Sequence, residues 1–357
     1  MKLIDKYIIR RYLTTFFFIL GIVLVICILV DVVEKMDDFL EKKPPLYDIL
    51  FVYYANFIPY YGNLLAPICL FLAVIFFTSQ MAQRSELIPL LSSGVSFYRI
   101  LMPYIATSLL LGGIAFYLRA YRVPDATVKR LDFEYQYFYK RRVSSNKDVH
   151  KKVAPDTFVY VSYYNEKQKE GHNFSLERIK DGDIITKIHA DRMVWIDSTQ
   201  KWQLRRVRIR NIEGMKEELK YLPKLDTTFL LKPDDIFIVE QKAETMILPD
   251  LIEYIKLEEM RGSDILEQLY IERHLRFADP IAVIILTLIG YAMASRKRRG
   301  GIALQIGLGI LICFIYIAMR FVGYAIAGEA VPPWLAAWMP NMIFFPVSIM
   351  LLRIVPK

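Results

Sequence analysis

One short charged loop carries the residues best suited to a specific contact in this chain. The loop lies between two apolar segments and reads Arg84-Ser85-Glu86-Leu87, with Pro89 and Gly94 following. Ser85 can cap a helix, Glu86 suits the first turn of a helix, and Gly94 can end one. The spacing predicts a short helix over residues 84–94, although Pro89 disfavours helical structure at the residue before it. Such a helix is either a tight connector or a surface on which a partner acts.

No motif for catalysis or nucleotide binding accompanies this loop. The sequence lacks the G-x-x-x-x-G-K-[ST] pattern that cradles ATP phosphates and the G-x-S-x-G pattern of serine hydrolases. The histidines are scattered without metal-ligand spacing, at His150, His172, His189 and His274. The three cysteines lie in apolar runs and are interpreted as small buried hydrophobic residues. We therefore expect a protein that is not an enzyme and that binds no metal or cofactor directly.

Six apolar stretches determine the expected architecture. Stretches free of Asp, Glu, Lys and Arg cover residues 12–30, 49–83, 100–118, 280–295, 300–319 and 330–352. A membrane-spanning helix needs about 20 apolar residues. The second stretch exceeds one span, so 46–56 is interpreted as an interfacial segment and 57–80 as the span. The pattern predicts two groups of three transmembrane helices that contain essentially no ionisable residues, which disfavours an ion-driven carrier.

Basic residues are concentrated on one side of the predicted membrane. If the N-terminus is inside, the inner segments carry 12 basic and 2 acidic residues, whereas the short outer loops carry 4 basic and 7 acidic residues. The positive-inside rule then places both termini in the cytoplasm and residues 119–279 outside. That middle segment has 30 basic and 28 acidic residues, so the net charge of +9 does not indicate nucleic-acid binding.

The middle segment has the pattern of a strand-rich domain. Short alternating runs occur at 158–163, 172–179, 184–190, 193–196, 202–210 and 229–231, and turn-forming residues separate them. Runs of this length and spacing predict an antiparallel sandwich or jelly roll. The expected domains are 1–118, with the first three spans; 119–279, with the β domain and flanking helical segments; and 280–357, with the last three spans.

Four segments, taken in order, resemble the LptF/LptG family, also called YjgP/YjgQ permeases, of the lipopolysaccharide exporter. They are Ile4-Asp5-Lys6-Tyr7-Ile8; Ala82-Gln83-Arg84-Ser85-Glu86-Leu87 with Ser93-Gly94; Asp279-Pro280 with Arg299-Gly300-Gly301; and Gly328 with Val331-Pro332-Pro333-Trp334 through Asn341. Together with the 3+3 layout, the resemblance covers the whole chain.

The resemblance implies an α-helical membrane protein with six transmembrane helices and an inserted periplasmic β-jelly-roll domain, located in the bacterial inner membrane. Such a chain would be a permease subunit of an ATP-driven lipopolysaccharide exporter. Its partners would be a paralogous permease, a cytoplasmic ABC ATPase dimer that uses the ATP, and periplasmic jelly-roll bridge proteins that receive the lipopolysaccharide. Arg84-Ser85-Glu86-Leu87 matches the ATPase-contacting helix, with Glu86 as its acidic contact. The motifs do not distinguish the two paralogues.

The resemblance also implies contacts with the lipid. Basic candidates for its phosphates are Lys35, Lys42, Lys43 and Arg320, although acidic residues lie among the lysines in this chain. Phe158, Tyr160 and Trp202 are candidates for the acyl-chain path. Because both faces of the 158–163 run are largely apolar, a lined groove and an ordinary sandwich core both fit.

Two other classes of function fit parts of the pattern. One is a permease of another exporter, such as a lipoprotein or macrolide system, but such permeases commonly have four spans. The other is a non-transporting membrane scaffold that displays the β domain.

Overall fold

A computed structural model of the chain describes residues 3–138, 145–165, 168–180, 182–214, 216–233, 242–263, 265–296, 301–328 and 331–354. The chain divides into two compact units. The membrane unit comprises Met1–Phe138, Glu244–Leu248 and Glu267–Lys357, and the sheet unit comprises Tyr139–Ala243 and Pro249–Leu266.

Six helical segments of the described chain are long and apolar enough to cross a membrane. They are Leu3–Glu34, Asp48–Gln83, Phe97–Tyr137, Leu266–Ala294, Gly301–Ile326 and Pro333–Ile354. Three precede the sheet unit and three follow it, so the predicted 3+3 arrangement is confirmed. Most of these helices extend beyond their apolar runs. The first has 32 residues and a length of about 48 Å, which exceeds the roughly 30 Å of a bilayer's hydrocarbon core.

The α-helices are numbered here in chain order. They are α1 Leu3–Glu34, α2 Met36–Lys42, α3 Ala55–Gln83, α4 Leu87–Ser92, α5 Phe97–Tyr117, α6 Val123–Tyr137, α7 Lys242–Thr245, α8 Leu248–Arg261, α9 Leu266–Ala294, α10 Gly301–Ile326 and α11 Pro333–Ile354. Two π-helical stretches, Asp48–Tyr54 and Leu118–Arg122, lead without a break into α3 and α6.

The second span differs from its prediction because it has no interfacial break. Pro59 lies inside a continuous helix, and the π-helical turn before α3 accommodates the altered hydrogen bonding. The Asn56 side chain donates to the Val52 carbonyl at 2.6 Å, which satisfies one backbone acceptor there. Tyr53 and Phe57 are buried against Phe133 of α6, so this segment belongs to the packed unit.

One core joins the first three spans to α9. Its members include Ile8 and Tyr12 of α1, Leu70 of α3, Tyr104 of α5 and Tyr291 of α9. Several buried hydroxyl groups in this core are paired: Tyr12 and Thr287 are 3.1 Å apart, the Thr78 hydroxyl donates to Tyr104 at 3.0 Å, and Tyr291 donates to the Phe97 carbonyl at 3.1 Å. The paired hydroxyls fix the directions of these helices as well as their spacing.

Two glycines of α10 allow close helix contacts. A Cβ atom at Gly323 would lie 2.6 Å from the Ala336 carbonyl oxygen of α11, and one at Gly309 would lie 2.5 Å from the Ile75 side chain of α3. Glycine at such positions lets helix backbones approach within a membrane.

The part of the sheet unit that the structure describes contains six antiparallel strands in sequential order. They are β1 Ser145–Ala154, β2 Thr157–Asn165, β3 Glu170–Lys180, β4 Asp183–Ile196, β5 Lys201–Glu213 and β6 Lys216–Thr227. The predicted antiparallel strand domain is confirmed, and each of its strands pairs with the next one along the chain.

Four strand assignments differ from the sequence prediction. The runs 184–190 and 193–196 form the single strand β4, while β1 and β6 were missed because they are rich in charged residues. The run 229–231 is not a strand. Its Leu231 carbonyl instead accepts a hydrogen bond from Trp202 Nε1 at 2.7 Å. This segment crosses the apolar face of the sheet, and the Phe229 ring stacks near Phe174 and Trp202.

Candidate functional site

The charged loop forms a tight turn followed by one short helix. Helix α4 covers Leu87–Ser92, which is shorter than the predicted 84–94. Ser85 does not cap it, because this residue has a left-handed backbone (φ 61°) and Glu86 occupies the N-cap position without a side-chain capping bond. Pro89 is tolerated because it is the third residue of the helix, where the backbone N–H has no intrahelical acceptor. Gly94 has φ +84°, as a residue after a helix end often does.

The predicted contact residues do not all face the same way. Leu87 is buried in the core, whereas Arg84 is exposed and Glu86 is half-buried. The neighbouring Ile88 exposes 57% of its surface. The loop therefore offers a basic, an acidic and an apolar side chain within five residues, a combination suited to contact with another protein.

Two residues at the start of α1 contact this loop and the start of α5. The Tyr7 hydroxyl donates to Glu86 Oε2 at 3.2 Å. Arg99 of α5 donates to both carboxylate oxygens of Asp5, each at 2.8 Å. We call this end of the helices the loop end and the opposite end the far end.

At the far end, Lys35 lies between two carboxylates. Its Nζ atom is 3.0 Å from Asp31 and 3.1 Å from Glu134, and it also contacts the Tyr53 hydroxyl. Arg130 pairs with the same Glu134 at 3.1 Å. Lys35, the first lipid-phosphate candidate, is thus held within the protein by two acidic groups.

Arg320 belongs to a second network at the far end. It donates to Asp279 at 3.0 Å, and Asp279 also contacts Arg119. Glu272 bridges Arg119, at 3.2 Å, and the buried Arg276, at 3.3 Å. In these two networks, therefore, basic candidates are paired with carboxylates of the same chain.

The remaining phosphate candidates lie on the surface. Lys42 pairs with its neighbour Glu41 at 2.8 Å, and their side chains are 35% and 63% exposed, respectively. Lys43 is exposed and has the left-handed backbone that ends α2. A phosphate could reach Lys42 and Lys43 directly, whereas Lys35 and Arg320 would have to exchange a carboxylate for it. The phosphate-binding role of all four residues stays a prediction.

Glu244 lies close to these networks, within the membrane unit. Its carboxylate accepts a hydrogen bond from Tyr60 at 3.4 Å, and the Arg130 guanidinium lies 4.7 Å from the centre of the Tyr60 ring. Burial raises the pKa of Glu244, and the nearby negative charge of Glu272 raises it further.

The acyl-chain candidates lie on opposite faces of the sheet. Trp202 is fully buried in the apolar core together with Val159 and Val161. Phe158 alternates with these valines, is 41% exposed, and has the Lys152 ammonium 5.6 Å from its ring centre. Tyr160 is half-buried on the same side as Phe158, beside His150. A single groove cannot be lined by all three candidates, and their role in a lipid path stays a prediction.

Two transmembrane helices are poorly covered by the rest of the chain. In the most apolar 18-residue segment of each helix, only 11% of the segment is buried in α1 and 22% in α10. The corresponding share is 61% for each of the spans that end in α3 and α9. Large exposed side chains include Phe17, Phe18 and Val33 on α1, and Phe314 and Phe321 on α10. Apolar faces of this extent contact lipid or another subunit.

The charged networks were not predicted, because the helices continue beyond the last apolar residue of each predicted span. Helix α9 begins at Leu266 and brings Glu272, Arg276 and Asp279 onto one face. Their spacing of i, i+4 and i+7 is the signal that could have revealed them, and Asp31 with Lys35 has the i, i+4 spacing too.

Comparison with known proteins gives two matches. A family model described as "Lipopolysaccharide export system permease LptF/LptG" matches residues 6–354. A curated relative, the lipopolysaccharide export system permease protein LptG of Haemophilus influenzae, is 21% identical over 282 residues, which cover 78% of each chain.

Proposed function

Since the chain belongs to the LptF/LptG family of lipopolysaccharide export system permeases, we propose that it is the subunit that withdraws lipopolysaccharide from the outer leaflet of the inner membrane, driven by a separate cytoplasmic ATPase. It is a multi-pass inner-membrane protein. A permease of the same family is its proposed partner in the membrane, as the name of the Haemophilus influenzae relative suggests.

The observation that carries this proposal is the family match together with the uncovered apolar faces of α1 and α10. Each methylene of an acyl chain brought into water costs about 0.8 kcal/mol, so several chains together cost tens of kcal/mol. The route must therefore keep the chains covered. Faces on α1 and α10, opposed by those of a second permease, would enclose the acyl chains on the way out of the bilayer.

The loop around α4 is the proposed contact for the ATPase dimer. Arg84 and Glu86 supply charges of both signs, and the exposed Ile88 supplies an apolar contact. The chain carries no nucleotide-binding motif of its own, so the energy has to enter through such a contact.

The sheet unit is the proposed receiver of the lipid. In the sequential strand order β1 and β6 are the edge strands of the described sheet, and edge strands can pair with strands of another protein. This supports a hand-off to periplasmic bridge proteins of jelly-roll type.

The decisive experiment reverses one charge in the loop. Glu86→Lys should lower lipopolysaccharide release from proteoliposomes by more than about tenfold, because it places a like charge where a basic ATPase residue would bind. The variant is reconstituted with the second permease and the ATPase, and lipid release and ATP hydrolysis are both measured.

Glu253→Lys is the matched control. It makes the same charge change at an exposed residue of α8 and should export normally. Normal export by Glu86→Lys would overturn the coupling role. A non-transporting scaffold would also leave lipopolysaccharide distribution unchanged after depletion of the chain, whereas the proposed permease predicts accumulation in the inner membrane.

A further inference from the structure

The motif Ile4-Asp5-Lys6-Tyr7-Ile8, which the function above does not use, lies where α1 meets the loop. We propose that Asp5, Tyr7 and Arg99 are positioning residues that fasten α1 to the ATPase-contacting loop and to the start of α5, which follows the loop directly, so that the loop and the first span move as one body during each cycle. This inference rests on the proposed function.

The first fastening is an ion pair with defined geometry. Arg99 Nη1 and Nη2 each lie 2.8 Å from one carboxylate oxygen of Asp5. Two parallel bonds between a guanidinium and a carboxylate fix orientation as well as distance. Asp5 is only 6% exposed, although the Arg99 side chain is 38% exposed. The pair therefore joins the first turn of α1 to the first turn of α5.

The second fastening reaches the proposed ATPase contact itself. The Tyr7 hydroxyl donates to Glu86 at 3.2 Å, and the Tyr7 ring packs edge-on against Phe77 of α3, with centroids 6.2 Å apart. A residue of α1 therefore holds Glu86, and a displacement of Glu86 would act on α1 through this hydrogen bond.

Packed aromatic rings continue the connection into the core. Phe77 contacts Tyr104, and Tyr104 contacts Tyr12 one helical stretch further along α1, at centroid distances of 6.2 and 5.7 Å. The Tyr12 hydroxyl is hydrogen-bonded to Thr287 of α9. Because a close-packed interior transmits displacement, the loop end of α1 has to follow the loop.

The rest of α1 has the opposite character. Beyond Phe16 its residues are mostly exposed until the Asp31 cluster at the far end. Among the six spans of the described chain, the helix that these side chains tie to the loop is thus also the one whose apolar segment is least buried. Motion of the loop would reach the lipid-facing surface through this helix.

The test replaces the ion pair by a removable covalent link in the full complex with the second permease and the ATPase. Asp5→Cys and Arg99→Cys are introduced after Cys27, Cys69 and Cys313 are changed to alanine, and a short bifunctional methanethiosulfonate reagent bridges the pair. Without the bridge, we expect the amount of lipopolysaccharide released per ATP to fall by about fivefold relative to the cysteine-free parent. A change of this size is typical of the coupling between two sites of one protein. With the bridge, most of this loss should be recovered, and reduction of the bridge should abolish the recovery.

Three outcomes would overturn the proposal. They are an unchanged ratio of lipid to ATP after loss of the ion pair, a bridge that fails to restore the ratio, and a bridge that blocks release. The last would mean that α1 and α5 must separate during the cycle. A merely structural role would lower the yield of complex and leave the ratio of lipid to ATP intact.

Two further variants sharpen the test. Tyr7→Phe removes only the hydroxyl that holds Glu86 and should lower the ratio of lipid to ATP while ATPase binding is retained. Lys6→Gln removes a charge from the exposed residue between Asp5 and Tyr7. It should change neither the ratio of lipid to ATP nor ATPase binding. If Glu86→Lys abolishes export but the bridge variants behave like the parent, only this inference fails; if Glu86→Lys exports normally, the proposed function fails.

Discussion

At the scale of single residues, carboxylates determine which basic groups are available. Lys35 and Arg320 are each held by acidic side chains of the same chain, while Lys42 and Lys43 face outward. Removing one partner of a buried pair leaves an uncompensated charge, which is costly in a low-dielectric region. A phosphate that bound Lys35 or Arg320 would therefore have to replace a carboxylate of the protein. Only a strongly anionic ligand could compete with these acidic side chains.

Glu244 gives a pH-dependent prediction at this scale. Burial raises its pKa in the folded state, so the fold favours the protonated form and stability falls as the pH rises through that value. Glu244→Gln should raise the thermal midpoint of the full chain in detergent at pH 7.5, because the amide carries no charge to bury. The gain should disappear below the ordinary glutamate pKa of 4.5, where the folded and unfolded states are both protonated.

Glu217→Gln supplies a control of opposite sign. Arg210 lowers the pKa of Glu217 in the folded state, so this exposed pair contributes stability above the ordinary pKa, and its removal should cause a small loss at pH 7.5. Equal shifts for the two variants, or a gain for Glu244→Gln that persists at low pH, would contradict the assignment.

At the scale of elements, close backbone contacts fix the positions of the last two spans. Gly323→Ala should lower the stability of the membrane unit by about 1–3 kcal/mol, because the new methyl group meets the Ala336 carbonyl at 2.6 Å and that backbone atom cannot turn away. Gly307→Ala is the matched control on the same helix, with nothing within 4 Å of the new methyl group. It should be neutral or slightly stabilising, since alanine is the better helix former. The measurement is the thermal midpoint of each variant in the same detergent. Equal midpoints would contradict the close contact between Gly323 and Ala336.

Hydropathy was sufficient to predict the six spans, since a bilayer demands long apolar helices whatever their packing. It was not sufficient for their ends, because the helix α9 includes Glu272 and Asp279, whose charges are paired with Arg119, a residue distant in sequence. Likewise, β6 lacks the alternation of a half-buried strand and is defined by its pairing with β5. Such contacts depend on residues distant in sequence, which a local pattern does not contain.

The loop shows the same limit more sharply. Its existence and its ending at Gly94 could be predicted from residue types. The left-handed conformation of Ser85 could not be predicted. It accompanies the hydrogen bond from the Glu86 N–H to the Met81 carbonyl, with which α3 ends. Two contacts at this end of the helices could not be predicted either, because Tyr7 and Glu86 are 79 residues apart in the chain and Asp5 and Arg99 are 94 residues apart.

At the scale of the whole molecule, orientation in the membrane is the prediction on which the ATPase contact depends. In a cysteine-free chain, Ser93→Cys and Lys201→Cys each introduce a thiol at an exposed position, one beside the loop and one at the start of β5. A membrane-impermeant maleimide added outside the inner membrane should label the thiol at position 201 and spare the one at 93, because basic residues are retained on the cytoplasmic side. The reverse pattern would place the loop out of reach of any cytoplasmic ATPase.

The sequential order of the six strands has a consequence for biosynthesis. Each strand pairs with the segment synthesised just before it, so the described sheet can form hairpin by hairpin during synthesis, without a segment that is distant in sequence. The helical core is different: Val283 and Tyr291 belong to the same cluster as Ile8 and Leu70. The first three transmembrane helices must therefore wait for part of their core until α9, which follows the sheet unit in the sequence, has been synthesised.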